Sequence, residues 1–499
     1  MPVTRLLIAN RGEIACRIIR TCRELNIPTI AVYSDSDRGS MHVRLAVKSY
    51  PIGPTPSRES YLRVDKLIEV CRKTGADAIH PGYGFLSEDP EAVRRIQEAG
   101  ITWLGPGAEV LEKMNAKITA REIAAGAGVP VLPGIHATLG DEDLLAEAKK
   151  LGYPLMLKPV AGRDGKGMRL VKSPGELRRA LPRVKGDALF SFWDERVYLE
   201  QALVHPRHLD VQIAGDQHGN YVHFWEREAS VQRRFQQVAD EAPSPSVGPE
   251  LRKALGEAAV AVARAVGYVG IGTVEFLLDA ENNFYFLEMT CRIQGGHAVT
   301  EWITGQDLVR WQVLIAQGEP LPLTQEQMPL WGHAIQCRIN AEDPDRDFAP
   351  SSGQILYLRT PAGHRVRDDN GVYPGWSLSP FYAPLLSKLS TWGPDRAEAL
   401  QRMQAALSEY RVGGVRSNVA FHKALLEHKP FLRGELHTGM LDHPFWKQKS
   451  LGPNVMFAVA AALFDELEIE ERRAQQPSQA EAFDAGADAW KSFGRFSRL

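Results

Sequence analysis

The run RLLIAN, RGEIACRIIRTCRELNI, PTIAVYSD near the start of the chain constrains the fold more than any other stretch. Arg5–Asn10 reads as a strand, Ile14, Ile18, Ile19 and Leu25 recur at helical spacing, and a second apolar strand follows. A strand, a helix and a strand in that order make a βαβ unit, which implies a parallel sheet. ADAIHPGYGF and ITWLG supply two more strands, with helical YLRVDKLIEVCRKTG and PEAVRRIQEAG between them. Residues 1 to about 110 are therefore expected to form a doubly wound α/β domain. Turns rich in Gly and Pro at LGPGAE and VPVLPG bracket one helix, expected over Val110–Gly128.

From GYPLMLKPV onward the pattern changes to short strands and tight turns. RVYLEQAL, HLDVQIAGDQHGNYVHFWERE and, after a helix, GTVEFLLDAENNFYFLEM read as antiparallel strands, an α+β arrangement. A third segment, from GHAIQCRINAEDP to residue 446, mixes strands with the helix DRAEALQRMQAALSEY. The tail after Leu451 is charged and rich in Ala and Gln, and AQQPSQAEAFDAGAD within it has the composition of disorder. At 499 residues the chain is too long for one core, and about three domains are expected.

Charge narrows the partners. Lys and Arg number 59 against 61 Asp and Glu, so no global field attracts nucleic acid or an anionic membrane, and any anion site must be local. The longest apolar run, VMFAVAAALF at 455–464, falls short of the roughly 20 residues that cross a bilayer and reads as a packed or amphipathic helix. MPVTRLLIANRGE has only a short apolar stretch before Asn10, so no export signal is expected. The five cysteines are odd in number and widely spaced, which suits reduced thiols in the cytoplasm, and none has metal-ligand spacing.

LMLKPVAGRDGKGMRLV places Lys158 on a strand, then Gly162, Gly165, Lys166 and Gly167 in a loop, then another strand. Amides freed by glycines, with lysines beside them, can cradle a polyphosphate. The spacing is not that of a P-loop, and a plain flexible hairpin fits as well. Lys117, in MNAKITAR, is a second candidate phosphate contact, although a lone lysine on a helix usually faces water. GTVEFLLDAENNFYFLEM is a hairpin around DAENN, with one glutamate on each strand, Glu275 and Glu288. Strict alternation puts Glu288 on the same face as Phe284 and Phe286, where an aromatic face should be buried. A buried carboxylate needs a cation. Mg²⁺ beside a nucleotide phosphate would serve both glutamates; a salt bridge from Glu288 to Arg292 or Arg338 fits the spacing equally.

IANRGEIACRIIR, HPGYGFLSE, GYPLMLKP, GKGMRLV, HPRHLDVQ, VQRR, EAPSPS, GTVEFL, FYFLEM, RIQ, HAVTE, ITGQDL and CRINAEDP follow one another in an order and spacing that resemble biotin carboxylase, an ATP-grasp enzyme. The resemblance covers about residues 3–446 in many independent blocks. It implies three domains: a doubly wound α/β domain at 1–114, an ATP-grasp domain at 115–330 with a mobile lid at about 132–204, and a mixed α+β domain at 331–446. A tail at 447–499 follows. It further implies that bicarbonate and ATP form carboxyphosphate and that biotin captures the CO₂ released. Lys117 and Lys158 would touch ATP phosphates under the glycine flap, Glu200 and the Leu203 backbone would hold adenine, and His208 and Gln232 would lie along the ribose and phosphates. Glu275 and Glu288 would ligate Mg²⁺ or Mn²⁺. Arg292 and Gln294 would hold bicarbonate, Arg338 would stabilise the biotin anion, and Tyr83–Gly84 would lie near the ureido ring. Phosphoryl transfer is mostly positioning and electrostatic stabilisation, and each residue carries the kind of charge its role requires.

The chain departs from the family on the bicarbonate side. Where the family reads Met-Asn-Thr-Arg-Ile-Gln-Val-Glu-His, this sequence reads MTCRIQGGH, with Thr290 in place of an asparagine near the metal and Gly296 in place of the general base. Phe235 and Gln237 stand for a histidine and a lysine, and Arg163 and Asp164 replace flap glycines. Losing a general base costs typically about 10²–10⁴-fold, and losing one preorganised electrostatic contact about 10²–10³-fold. Impaired biotin carboxylation is therefore expected. A ligase repurposed for another carboxylate or acceptor is the second expectation, since Gly295 and Gly296 leave room for something larger than bicarbonate; a non-catalytic nucleotide-binding subunit is the third. No Met-Lys-Met biotinylation sequence occurs, so biotin would ride on a separate carrier protein, with a carboxyltransferase subunit as the further partner. Arg17, Arg20 and Glu24 match the family's dimer-helix positions, which implies a homodimer.

Overall fold

Alternate residues of the first strand, Leu6–Ile8 (β1), face opposite layers, and this is what winds the N-terminal region on both sides. Leu6 and Ile8 pack with Ile14, Ile18 and Cys22 of helix Gly12–Glu24. Leu7 packs with Leu67, Val70, Val93 and Ile96 of helices Val64–Thr74 and Pro90–Glu98. With β2 (Thr29–Ser34), β3 (Lys48–Gly53), β4 (Ala78–His80) and β5 (Thr102–Trp103), β1 forms a sheet of order β3-β2-β1-β4-β5, in which every pairing is parallel. The expected doubly wound α/β architecture is present. In this computed structural model the described residues are 2–135, 139–161, 167–443 and 445–446. The tail readings, the apolar run at 455–464, and flap residues Gly162, Arg163, Asp164, Gly165 and Lys166 lie outside them.

The single helix expected over 110–128 is two, Ala108–Asn115 and Lys117–Gly126, broken at Ala116, whose ψ of 94° is extended. The Asn115 amide donates to the Glu88 carbonyl at 2.9 Å, anchoring the break, and Lys117 becomes the first residue of the second helix. A four-stranded antiparallel sheet follows, made of β6 (Gly134–Ile135), β7 (Leu155–Pro159), β8 (Arg169–Val171) and β9 (Val197–Gln201) in the order β6-β9-β7-β8. Helices Asp141–Leu151 and Pro174–Phe192 cover it with a core of their own, including Leu144, Leu157, Leu177 and Leu199.

Eight further strands build an antiparallel sheet that runs from the second segment into the third. Its order begins β14-β13-β10-β11-β12-β15, from β10 (Arg207–Gly215), β11 (Tyr221–Arg233), β12 (Gln236–Ala242), β13 (Gly270–Leu278), β14 (Phe284–Thr290) and β15 (His333–Asn340), and ends on strands Leu385–Gly393 and Val366–Asn370. In the β13/β14 hairpin, Phe276 pairs with Phe286 but Glu275 pairs with Glu288, so Leu287 is an extra residue on β14. Such a bulge reverses the alternation. Glu288 therefore does not share the face of Phe286, as strict alternation predicted: Phe286 lies 1% exposed in the core beside Phe276, while Glu288 turns to the other face with Glu275.

Candidate active site

Register draws four charges into a row across that other face. Arg227 stands opposite Asp210, Asp210 opposite Glu275, and Glu275 opposite Glu288 on β11, β10, β13 and β14. Three neighbouring carboxylates repel one another, and only cations or donors around them can hold the cluster. Arg227, wholly buried, reaches Asp210 at 3.4 Å, Gln294 Oε1 at 2.6 Å and Thr300 at 3.0 Å. His208 Nε2 lies 2.9 Å from Glu275 and 3.2 Å from Asp210, and Gln232 Nε2 lies 2.5 Å from its Nδ1. Burial opposes charge on His208, but the two carboxylates outweigh it and hold the imidazolium well above its ordinary pKa. Glu275 is pushed up by burial and by Asp210 and Glu288 beside it; Glu288 is pulled down, first by Lys117, whose Nζ sits 3.2 Å away.

The expected bridge from Glu288 to Arg292 or Arg338 is thus supplied by Lys117. Arg292 Nε donates to Glu88 at 3.2 Å, and Arg338 pairs with Asp240 at 3.3 Å. Gln294 donates to Glu275 Oε1 at 2.7 Å, and Thr290 Oγ1 donates to the same oxygen at 2.5 Å. A divalent cation fits this donor set. Carboxylate oxygens dominate it: ligand atoms of Asp210 and Glu275 lie within 4.8 Å of each other, and Glu288 stands opposite Glu275.

On the small sheet, Lys158 (β7) faces Glu200 (β9) and the two are ion-paired; Arg121 holds the other oxygen of Glu200 at 3.0 Å. Burial lowers the Lys158 pKa, and Glu200 offsets this only in part. Leu203 follows β9, half-buried. At Gly167 φ is +78° and a Cβ would stand 3.0 Å from Pro159 Cγ, so a side chain is excluded twice over. Tyr83 lies apart, its hydroxyl donating to Glu13, which also holds Lys388 at 3.2 Å. Lys388 is the cross-strand neighbour of Arg338, and this links the Tyr83 loop to the end of the charged row.

Gly295 and Gly296 do not leave the room expected of them. A Cβ on Gly295 would meet the Arg338 guanidinium at 3.2 Å, and one on Gly296 would meet Arg227 Nε at 3.2 Å and Asp240 at 3.3 Å. Side chains have closed over the glycines. Gln237 bridges the row, donating to Asp210 at 3.2 Å and accepting from Arg338, while Phe235 sits at the β11/β12 turn, 46% exposed with φ +65°. Asp210, Arg227, Asp240, Glu88 and Arg121 were not singled out from the sequence. One signal was available: His208, Asp210 and Gln212 alternate with Leu209, Val211 and Ile213, a polar face along a strand buried on both sides.

Three family models cover most of the chain. Biotin carboxylase, N-terminal domain, matches residues 2–111; carbamoyl-phosphate synthase L chain, ATP binding domain, matches 116–324; biotin carboxylase C-terminal domain matches 336–443. The biotin carboxylase of Halalkalibacterium halodurans is 48% identical over 88% of this chain and 97% of its own. The mitochondrial methylcrotonoyl-CoA carboxylase subunit alpha of Mus musculus is also 48% identical over 88% of this chain, which spans 62% of that protein's length. Among solved structures, the biotin carboxylase domain dimer of Hydrogenobacter thermophilus 2-oxoglutarate carboxylase, in complex with MgADP, ADP and bicarbonate, superposes with a TM-score of 0.88 at 40% identity, over 90% of this chain and 99% of that one. Matches of this length and identity, over a sheet that gathers the expected glutamates, lysines and arginines, place the chain in the biotin carboxylase family.

Proposed function

We propose that the chain uses ATP, Mg²⁺ or Mn²⁺, and bicarbonate to carboxylate biotin carried by a separate protein, at a rate reduced by its substitutions. The observation that carries this is the pairing of Glu275 with Glu288 beside Lys117 and His208, with Gln294 and Arg338 along the same face. Glu275 and Glu288 would hold the metal, which when bound neutralises the developing charge on the transferring phosphoryl group. Lys117 would exchange its bond to Glu288 for a phosphate oxygen, and Lys158 on the small sheet would also reach the phosphates. Glu200 and the Leu203 backbone would take adenine, with His208 and Gln232 along the ribose and phosphates. Arg292 and Gln294 would orient bicarbonate, and Arg338 would meet the negative charge developing on biotin near Tyr83. The carrier protein, a carboxyltransferase subunit and a second copy of the chain would complete the assembly; the structural relative described as a dimer supports the last. A repurposed ligase loses its main support, because the space at Gly295 and Gly296 is filled. Steady-state ADP formation, measured with and without bicarbonate and free biotin, tests the reading. Bicarbonate stimulation, at least about a hundredfold below an intact relative, is expected; ADP formation indifferent to bicarbonate overturns it.

A further inference from the structure

The Tyr83 loop has little backbone restraint of its own, and two side chains from the start of the first helix hold it. Gly82 and Gly84 flank Tyr83 at φ +63° and +73°, so neither has the restraint a Cβ would give. Asn10 holds that backbone: its Nδ2 donates to the carbonyls of Pro81 at 2.6 Å and Tyr83 at 2.8 Å. Glu13, three residues on, holds the ring, with one carboxylate oxygen accepting from the Tyr83 hydroxyl. The other oxygen lies 3.2 Å from Lys388 Nζ, which stands 5.5 Å from the Tyr83 ring centroid. Both charges are buried. Burial pushes the Glu13 carboxyl up, and Lys388 works most strongly against it. The other groups facing Lys388 are occupied. His297 Nδ1, 3.5 Å from Nζ, donates to the Gln294 carbonyl at 2.7 Å, and Asp369, across the sheet, is taken by Arg367 at 2.6 Å. A buried ion pair adds little stability over an apolar pair of the same volume. What this pair provides is a fixed acceptor for the Tyr83 hydroxyl.

We propose that Glu13 is a positioning residue for biotin, with Lys388 as its counter-charge, and that it fixes the Tyr83 ring at the end of the charged face where Arg338 stands. The assignment rests on the function proposed above. Register supports it. Lys388 pairs with Arg338 across two antiparallel strands, and such partners share a face, so the cation that holds Glu13 neighbours the one proposed to meet biotin's charge. The anchor itself is tightly placed. A Cβ at Gly371 would stand 2.5 Å from the Glu13 backbone nitrogen, so the third segment closes directly on the start of the first helix. Glu13 and Lys388 are buried and touch no substrate; they act through Tyr83, which is half-buried beside exposed Gly84.

The test uses the full chain, with ADP formation followed at saturating MgATP and bicarbonate while free biotin is titrated. Lys388→Met is combined with either Glu13→Met or Glu13→Gln. Both double variants lose the buried ion pair, and they differ only in an acceptor for Tyr83. With Glu13→Met, the KM for biotin should rise about three- to tenfold, the worth of one hydrogen bond, while kcat and the rate without biotin stay within about twofold. With Glu13→Gln, which keeps an acceptor, the KM should stay within about twofold of wild type. Tyr83→Phe should raise the KM as far as the Glu13→Met pair does, and adding it to that pair should raise it no further, since both remove one interaction. A KM unmoved in the Glu13→Met pair, or moved equally in both pairs, overturns the assignment, and so does a multiplicative effect with Tyr83→Phe. Loss of MgADP binding, measured by calorimetry, together with the biotin-independent rate in both double variants also overturns it, making the pair a support of the fold alone. A wild type that biotin does not stimulate overturns the proposed function itself, and this assignment with it.

Discussion

Arg338 takes Asp240 as its counter-charge, so its removal has a structural and a chemical consequence that can be separated. Arg338→Ala leaves Asp240 buried without its cation, which should cost about 3–5 kcal/mol of stability and lower Tm with or without nucleotide. Arg338→Lys keeps the charge but not the fork that spans both Asp240 oxygens and Gln237. It should retain most of the stability while biotin-dependent kcat falls far more than KM rises, and equal changes in the two constants would count against a role in the transition state. Lys158→Ala should weaken MgADP binding in a calorimetric titration. Its ammonium is already destabilised by burial and is partnered by Glu200, so a phosphate would improve its surroundings. Unchanged affinity would remove Lys158 from the nucleotide site.

The β13/β14 hairpin shows how far sequence pattern carries and where it stops. Alternation located both strands, the DAENN turn and both glutamates, but it cannot register the extra residue at Leu287, because a bulge is set by what the two faces must bury. Deleting Leu287 should regularise the strand, leave Glu288 opposite Glu275 on the polar face, and preserve the upward shift in Tm that MgADP gives; a lost shift would mean that the bulge itself is needed to position Glu288. The helix break at Ala116 was hidden for a similar reason, since Ala and Asn do not interrupt a helix unless tertiary contacts such as Asn115 to Glu88 demand it. The βαβ alternation, by contrast, was legible because parallel strands are buried on both faces and read as continuous apolar runs. Between β12 and helix Arg396–Glu409, Glu241 lies 3% exposed, 2.7 Å from both His333 and Arg396. Burial alone would raise its pKa, but these two partners outweigh burial and hold it at about 2 instead of 4.5. A depressed folded-state value contributes stability above the unfolded value, so this contribution, about 3 kcal/mol at neutral pH, is lost as pH falls from about 5 toward 2. Glu241→Gln should lower stability at pH 7 and flatten that part of the acid-unfolding curve; a curve parallel to wild type would refute it.

At the scale of the molecule, the eight-stranded sheet joins the β13/β14 hairpin, the proposed metal site, to the strand that carries Arg338, so the two ends of the proposed chemistry share one element. The motif blocks made the family legible, and the charged row across that sheet was legible only in part: Glu275 and Glu288 stood out, while Asp210, Arg227 and Asp240 lie on strands whose register no local pattern reveals. The same register explains how a chain with Gly296 and Gln237 keeps a carboxylate and an amide bridge beside Arg338. The most direct measurement is ADP formation at saturating MgATP, titrated with bicarbonate in the presence and absence of free biotin. The expected result is a slow rate that saturates with bicarbonate and rises with biotin. Tight MgADP binding with no bicarbonate-dependent turnover would contradict it, leaving a nucleotide-binding subunit without the chemistry.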